Sequence, residues 1–198
     1  MKIYHITLVI LGLFLSLIGC EKLHKEKEIV IENNDFKWTV TIPKKFYELP
    51  EKDWDKVEEK GMEAIEKVYG EEVENRATTL FAYKNGKFHT FESNYQIFDS
   101  KTDRNYSDSN KEVNIMTFKT FEETIPNATM DSISSKQMIS GLEFERFEIN
   151  LNLPNNIKMT TVGFSRLFGD KDFTINIVYI NDKIGNELIA NILNSKFE

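Results

Sequence analysis

Apolar and polar residues alternate without a break from Phe36 to Ile42: Phe36, Trp38, Val40 and Ile42 are separated by Lys37, Thr39 and Thr41. A period of two places the two sets on opposite faces, so 36–42 is a half-buried strand. Pro43 ends it, because proline has no N–H for a ladder. Ile29, Val30 and Ile31 form a short strand before it, with Asn33-Asn34-Asp35 as the turn between them. From about residue 50 to 69 the period changes. Trp54, Val57, Gly61, Ala64, Ile65 and Val68 fall three or four apart, and Glu58, Glu59, Lys60, Glu63, Glu66 and Lys67 cover the remaining surface. That is an amphipathic helix, opened by Pro50 and stopped by Gly70.

Residues 78–84 and 87–98 are strand-like runs flanking Asn85-Gly86, a pair suited to a hairpin whose two turn positions both need positive φ. The polar stretch 100–110 reads as a loop. Residues 111–124 are a weaker helix, with Val113, Met116 and Phe121 inward and Phe118 at the margin of the stripe. Pro126-Asn127 closes it. Four strands follow, at about 129–139, 142–151, 157–168 and 173–180. Ser140-Gly141, Pro154-Asn155-Asn156 and the stretch 169–172 are the turns. In the last strand Phe173, Ile175, Ile177 and Tyr179 share one face while Val178 and Ile180 take the other, so both faces are expected to be covered. Asn181 or Asp182 caps a final helix whose stripe is Ile184, Leu188, Ile189 and Ile192. Strands joined by short turns make an antiparallel sheet, and three amphipathic helices must bury their stripes on it. The expected class is α+β.

The N-terminus carries an address. Lys2 precedes a mostly apolar run from Ile6 to Leu15, which is shorter than the roughly 20 residues a bilayer span requires. Leu17-Ile18-Gly19-Cys20 follows, and Cys20 is the one cysteine of the chain. This layout resembles the lipobox of bacterial lipoproteins. The resemblance implies that 1–19 is a signal peptide cut after Gly19. It also implies that the Cys20 thiol takes a diacylglyceryl group and that the new N-terminus is acylated, for example by palmitate. Residues 20–28 are then a charged tether, and 29–198 a single domain tied to a membrane outside the cytoplasm. With Cys20 acylated no thiol remains, so neither disulfides nor thiolate metal sites are expected.

Composition narrows the function further. Twenty-five Lys and Arg against 32 Asp and Glu give a net charge of −7, which disfavours nucleic acid and anionic headgroups as partners. Fifteen Phe, seven Tyr and two Trp supply the core, and a minority of them could line an apolar groove. After the cut only His24, in the tether, and His89 remain; His89 reads as a hydrogen-bonded structural residue in a strand. No nucleophile–base motif and no phosphate loop stands out, so no catalytic residue and no cofactor is assigned. Asp103, Asn105, Ser107 and Ser109 imitate the start of a calcium loop, but Asp108 stands where glycine is needed and Asn114 where the bidentate Glu belongs. The thirty-two acids will always contain close pairs, which says little. Asp131-Ser132-Ile133 resembles an O-glycan acceptor triplet and is read as a chance match.

Phe36-Lys37-Trp38-Thr39-Val40-Thr41-Ile42-Pro43 followed by Phe46, the helix from Trp54, Leu80-Phe81-Ala82-Tyr83 and the closing Asn194-Ser195-Lys196-Phe197 together resemble the PsbP-like family, the PsbP and DcrB type. The resemblance spans about 29–197 and implies an α/β/α sandwich around a central antiparallel sheet. It also implies a non-catalytic accessory, assembly or chaperone-like factor that binds an envelope protein. A carrier or sensor of an apolar ligand and a carboxylate-dependent hydrolase stay open beside it. The anchor is directly testable. Wild-type chain is expected to take up a fatty-acid label and partition into detergent, since each buried CH₂ contributes about 0.8 kcal/mol, whereas Cys20→Ser should accumulate as unlabelled, unlipidated precursor. An unlabelled, soluble wild type contradicts the lipobox.

Overall fold

The structure, a computed structural model, describes residues 28–103 and 105–198. The expected signal 1–19, Cys20 and the expected tether up to residue 27 lie outside them. The strands are β1 Ile29–Asn33, β2 Trp38–Ile42, β3 Tyr47–Glu48, β4 Thr78–Asn85, β5 His89–Ile97, β6 Thr129–Ile139, β7 Leu142–Leu153, β8 Ile157–Phe168, β9 Lys171–Tyr179 and β10 Lys196–Phe197. The helices are α1 Glu51–Tyr69, α2 Tyr106–Thr124 and α3 Asp182–Leu193. None of the described helices is long and apolar enough to cross a membrane.

The α+β class holds, with two antiparallel sheets where the sequence suggested one. Seven strands run in the order β3-β4-β5-β9-β8-β7-β6, and β1-β2-β10 form a separate small sheet. The alternation in β2 explains why. Trp38, Val40 and Ile42 are fully buried on one face, so the opening hairpin lies over the large sheet and buries that face against it. Helix α3 shares this layer: Leu188 and Ile192 join the cluster of Phe36, Trp38, Phe91, Phe144, Phe164, Phe173 and Ile177. On the other face α1 packs Trp54, Val57 and Ile65 against Leu49 and Ala82. There α2 sets Phe121 against Ile149, Leu151, Met159 and Val178. Strand β9, central in its sheet, is buried on both faces from Asp172 to Val178.

Trp38 ties the layers. Its indole stacks on Phe81 (centroids 5.7 Å apart) and on Phe197 (5.8 Å), and stands edge-on to Phe173 (5.0 Å). Its Nε1 donates to Ser195 Oγ at 3.0 Å. That bond draws the end of α3 down and lets β10 pair with β2, with Phe197 opposite Trp38. Strand β10 has two residues and no period of its own, so the sequence pattern ends at α3. Strand β3, paired with β4, is equally short and equally silent.

Two further differences have local causes. Helix α2 begins five residues before the expected start because Asn105 caps it, its Oδ1 accepting from Asp108 N at 2.9 Å. The Tyr106 hydroxyl then donates to Asp172 Oδ1 at 2.9 Å, which fixes the first turn to β9. At the β4–β5 hairpin Asn85 pairs with His89, so the loop is 86–88 and Gly86 alone takes positive φ, +65°. The two-residue turn with both positions left-handed sits instead at Ser140 (+51°) and Gly141 (+78°), between the paired Ile139 and Leu142.

Trp54 is buried, and its Nε1 donates to Thr79 Oγ1 at 3.0 Å, so α1 is pinned to β4 by packing and by one polar bond. Trp54→Ala is expected to cost about 3–5 kcal/mol in a urea melt, as large-to-small aromatic changes in cores do. A loss below about 1 kcal/mol would show that this helix is held elsewhere.

Candidate functional site

The residues singled out in the sequence do not converge. His89 opens β5 and is half-buried; burial pulls its imidazole below the ordinary value. Its Nδ1 is buried without a hydrogen-bond partner, contrary to the hydrogen-bonded role expected of it. The calcium-like stretch is used up in capping. Asp103 Oδ2 accepts from Asp99 N at 2.7 Å, Asn105 is the cap, and Ser107 and Ser109 lie along α2, so the four cannot curl around one ion. Among the described residues no three His, Cys, Asp or Glu side chains gather as a metal site. Asp131, Ser132 and Ile133 are all exposed on β6.

Two polar arrangements were not foreseen. The first is a seam inside the protein, on the sheet face under α1 and α2. On β5 the even positions Thr90, Glu92, Asn94 and Gln96 point there, and on β9 Asp172, Thr174 and Asn176 do; all are buried. Glu92 sits at the centre, 1% exposed. Its carboxyl accepts from Asn94 Nδ2 at 3.0 Å and from Asn176 Nδ2. Burial outweighs both bonds and, with a smaller push from the charge of Glu58, raises its pKa to about 8. Glu58 itself, on α1, is held above its ordinary value by burial while accepting from Thr79 and Asn75. Gly163 faces Asn176 across the β8–β9 pairing, and a Cβ there would come within 3.0 Å of Asn176 Oδ1, so glycine makes room for the amide. Asn176 Oδ1 and Thr174 Oγ1 have no partner and border a cavity of about 20 Å³ beneath Asn110, Asn114 and Thr117 of α2. That volume suits about one water-sized sphere.

The second arrangement lies on the opposite face, where α3 crosses the large sheet and leaves the far parts of β6, β7 and β8 bare. The registers align one residue from each of four neighbouring strands: Asp131 opposes Asn150, Asn150 opposes Thr160, and Thr160 opposes Tyr179. Hydrogen bonds join three of the four side chains. Asn150 Nδ2 donates to Asp131 Oδ1 (3.2 Å) and to Glu148 Oε1 (3.1 Å), and Thr160 Oγ1 donates to Asn150 Oδ1 (3.0 Å). Tyr179 stands next to Thr160 in register. Glu148 is also paired with Arg146. The Tyr179 ring lies where a Cβ on Gly185 would be, 2.4 Å from its Cε2, so the absent side chain in α3 seats the ring. Together with Lys158 and Asp182 the row borders a groove of about 350 Å³. Beside it, β6 is an edge of the large sheet with no partner on its outer side among the described residues: eleven residues, mostly exposed, with Ile133 half exposed.

The seam carried one legible hint, polar residues interrupting strands that are otherwise apolar, as in Glu92-Ser93-Asn94 and Asn176. The period-two rule reads such positions as facing solvent, and the helices cover them instead. The row across four strands has no signature along the chain.

No protein-family model matches the chain, and no curated protein matches it. Among solved structures it is similar to the solution structure of cyanobacterial PsbP (CyanoP) from Synechocystis sp. PCC 6803, with TM-score 0.58 and 8% identity over 92% of this chain and 99% of that one. It also aligns with LpqN, involved in cell envelope biogenesis of Mycobacterium tuberculosis (TM-score 0.47, 10% identity, 86% and 90% covered). A third alignment is with the Ran-binding protein Mog1p of Saccharomyces cerevisiae (0.42, 9%, 87% and 95%). The first likeness shows a PsbP-like fold, and at this identity a shared fold assigns no activity.

The buried carboxyl generates a pH test. Between pH about 7 and about 9 the unfolded Glu92 is ionised throughout, whereas the folded one keeps its proton until near its raised pKa. Stability therefore falls as pH rises through this window, by on the order of 1 kcal/mol. His89, held low, is already neutral there, and burial keeps Tyr83, Tyr106 and Tyr179 protonated. Urea melts at the two ends should show the loss in wild type and a flat response in Glu92→Gln. Parallel losses in both would show that another group titrates.

Proposed function

We propose that this protein is a lipid-anchored, non-catalytic component of the bacterial cell envelope. In this reading it is held to a membrane through Cys20 and works as an accessory, assembly or chaperone-like factor by binding another envelope protein. The observation that carries the binding role is the free edge of β6. Eleven consecutive residues, without proline or glycine, present one row of backbone N–H and C=O groups at the sheet margin, where no strand among the described residues pairs with them. Such a row accepts an added strand, with the backbone supplying affinity and alternate side chains supplying selectivity. Strand β6 carries one acid, Asp131, and one base, Lys136, so its own charge is balanced within an acidic chain and does not repel an approaching segment.

The other readings have less to stand on. The cavity next to Asn176 is far below the roughly 300 Å³ that an apolar small-molecule site occupies. The exposed large apolar residues Val30, Ile97, Ile115, Ile133 and Met138 are spread over three strands and one helix and form no groove for a lipid tail. Glu92, the carboxyl with the most shifted pKa, is sealed under two helices, where a substrate cannot reach it.

A photo-crosslinking residue in place of Ile133, in the full chain in its own membranes, is expected to capture one reproducible envelope protein. The same residue in place of Lys52, on the solvent face of α1, should capture none. Equal capture at both sites, or none at Ile133, would remove β6 as the partner surface.

A further inference from the structure

We propose that the groove over the row Asp131–Asn150–Thr160–Tyr179 is a binding site for a neutral, polyhydroxylated ligand of the sugar class. Four adjacent strands, about 4.8 Å apart, spread these groups over about 14 Å of flat pleated surface. The groove holds about 350 Å³, within the range of small-molecule sites. Its chemistry selects the ligand. Carboxylate, amide and hydroxyl groups alternate along the row, so acceptors and donors lie side by side. Neighbouring ring hydroxyls each donate and accept, and match that alternation. Lys158 offsets one of the two bordering acids, Asp131 and Asp182, which leaves little net charge to hold an ion of either sign. The row is polar along its whole length, which disfavours an apolar ligand.

The site is also held in shape before any ligand arrives. Asn150 is fixed by bonds to Asp131, Glu148 and Thr160, and Arg146 holds Glu148 from behind while its guanidinium lies over the Phe164 ring at 5.9 Å. Tyr179 is fixed by the gap at Gly185, which its ring fills. Groups locked by packing and by each other lose little freedom on binding, and so retain more of the interaction energy. The tightest feature of α3, a helical glycine filled by a ring from the preceding strand, thus serves to aim one hydroxyl along the floor of the groove. The proposal is independent of the anchor and of the β6 edge.

The test uses the purified full chain in detergent and saturation-transfer NMR with glucose, N-acetylglucosamine, maltose and cellobiose, with glucuronate and trialanine as charged and peptide comparators. At least one neutral sugar is expected to receive saturation and to outbind both comparators. Tyr179→Phe and Asn150→Ala should each weaken it by about tenfold, as loss of one or two hydrogen bonds does, with thermal melting showing both variants folded. Lys52→Ala should leave binding unchanged. Thr160→Val, which keeps the shape of the floor, provides the same reading should Asn150→Ala fail to fold. No transfer to any neutral sugar at about 10 mM, where even millimolar binding would register, overturns the proposal. So does equal binding of glucuronate or trialanine, or binding that folded Tyr179→Phe and Thr160→Val variants retain in full.

Discussion

The packing of Trp38 against Phe173 and Phe197 is the constraint on which the rest of this architecture depends. These residues come from β2, β9 and β10, so one aromatic contact joins the small sheet, the centre of the large sheet and the C-terminus. Each ring buries about 150–250 Å² and thereby contributes about 4–6 kcal/mol of hydrophobic transfer energy before entropy is set against it. The indole N–H needs a partner at that depth and finds Ser195, which is why the chain beyond α3 turns back onto β2. Once the hairpin and α3 are committed to this cluster, they cover one part of the large sheet and cannot cover the rest. The bare surface over β6, β7 and β8 follows from where the aromatics lie.

Polar side chains occupy both faces of the large sheet under different conditions. On the face beneath α1 and α2, Glu92, Asn94 and Asn176 are sealed in, and their hydrogen bonds lower but do not cancel the cost of burial. The raised pKa of Glu92 is the visible sign of that cost, and the partnerless oxygens of Asn94, Thr174 and Asn176 are another. On the α3 face, Asn150 and Thr160 bond to each other beside Tyr179, at the floor of a groove that stays in contact with solvent. The first arrangement restricts which packing of α2 the sheet accepts. The second is reachable by a ligand, and it borders β6, the long edge strand of the large sheet among the described residues.

What the sequence determined by itself was whatever repeats at short range. The period of two located β2 and the meander β6 to β9, the three-to-four spacing located α1 and α3, and Asn181 marked the cap of α3, where its Oδ1 accepts from Lys183 N and Ile184 N. Gly70, left-handed at φ +69°, ended α1 as its position implied. The basic start, apolar run and Cys20 likewise form a local pattern. Only the tertiary structure decided the rest, because it depends on partners distant along the chain. Division into two sheets required Trp38 to meet Phe197, β3 and β10 exist only as pairings, and Tyr106 enters α2 because Asp172 receives its hydroxyl. The row of Asp131, Asn150, Thr160 and Tyr179 is the extreme case. Each residue is unremarkable on its own strand, and the site arises from register, which is set jointly by turn geometry and by the demand of every apolar face for cover.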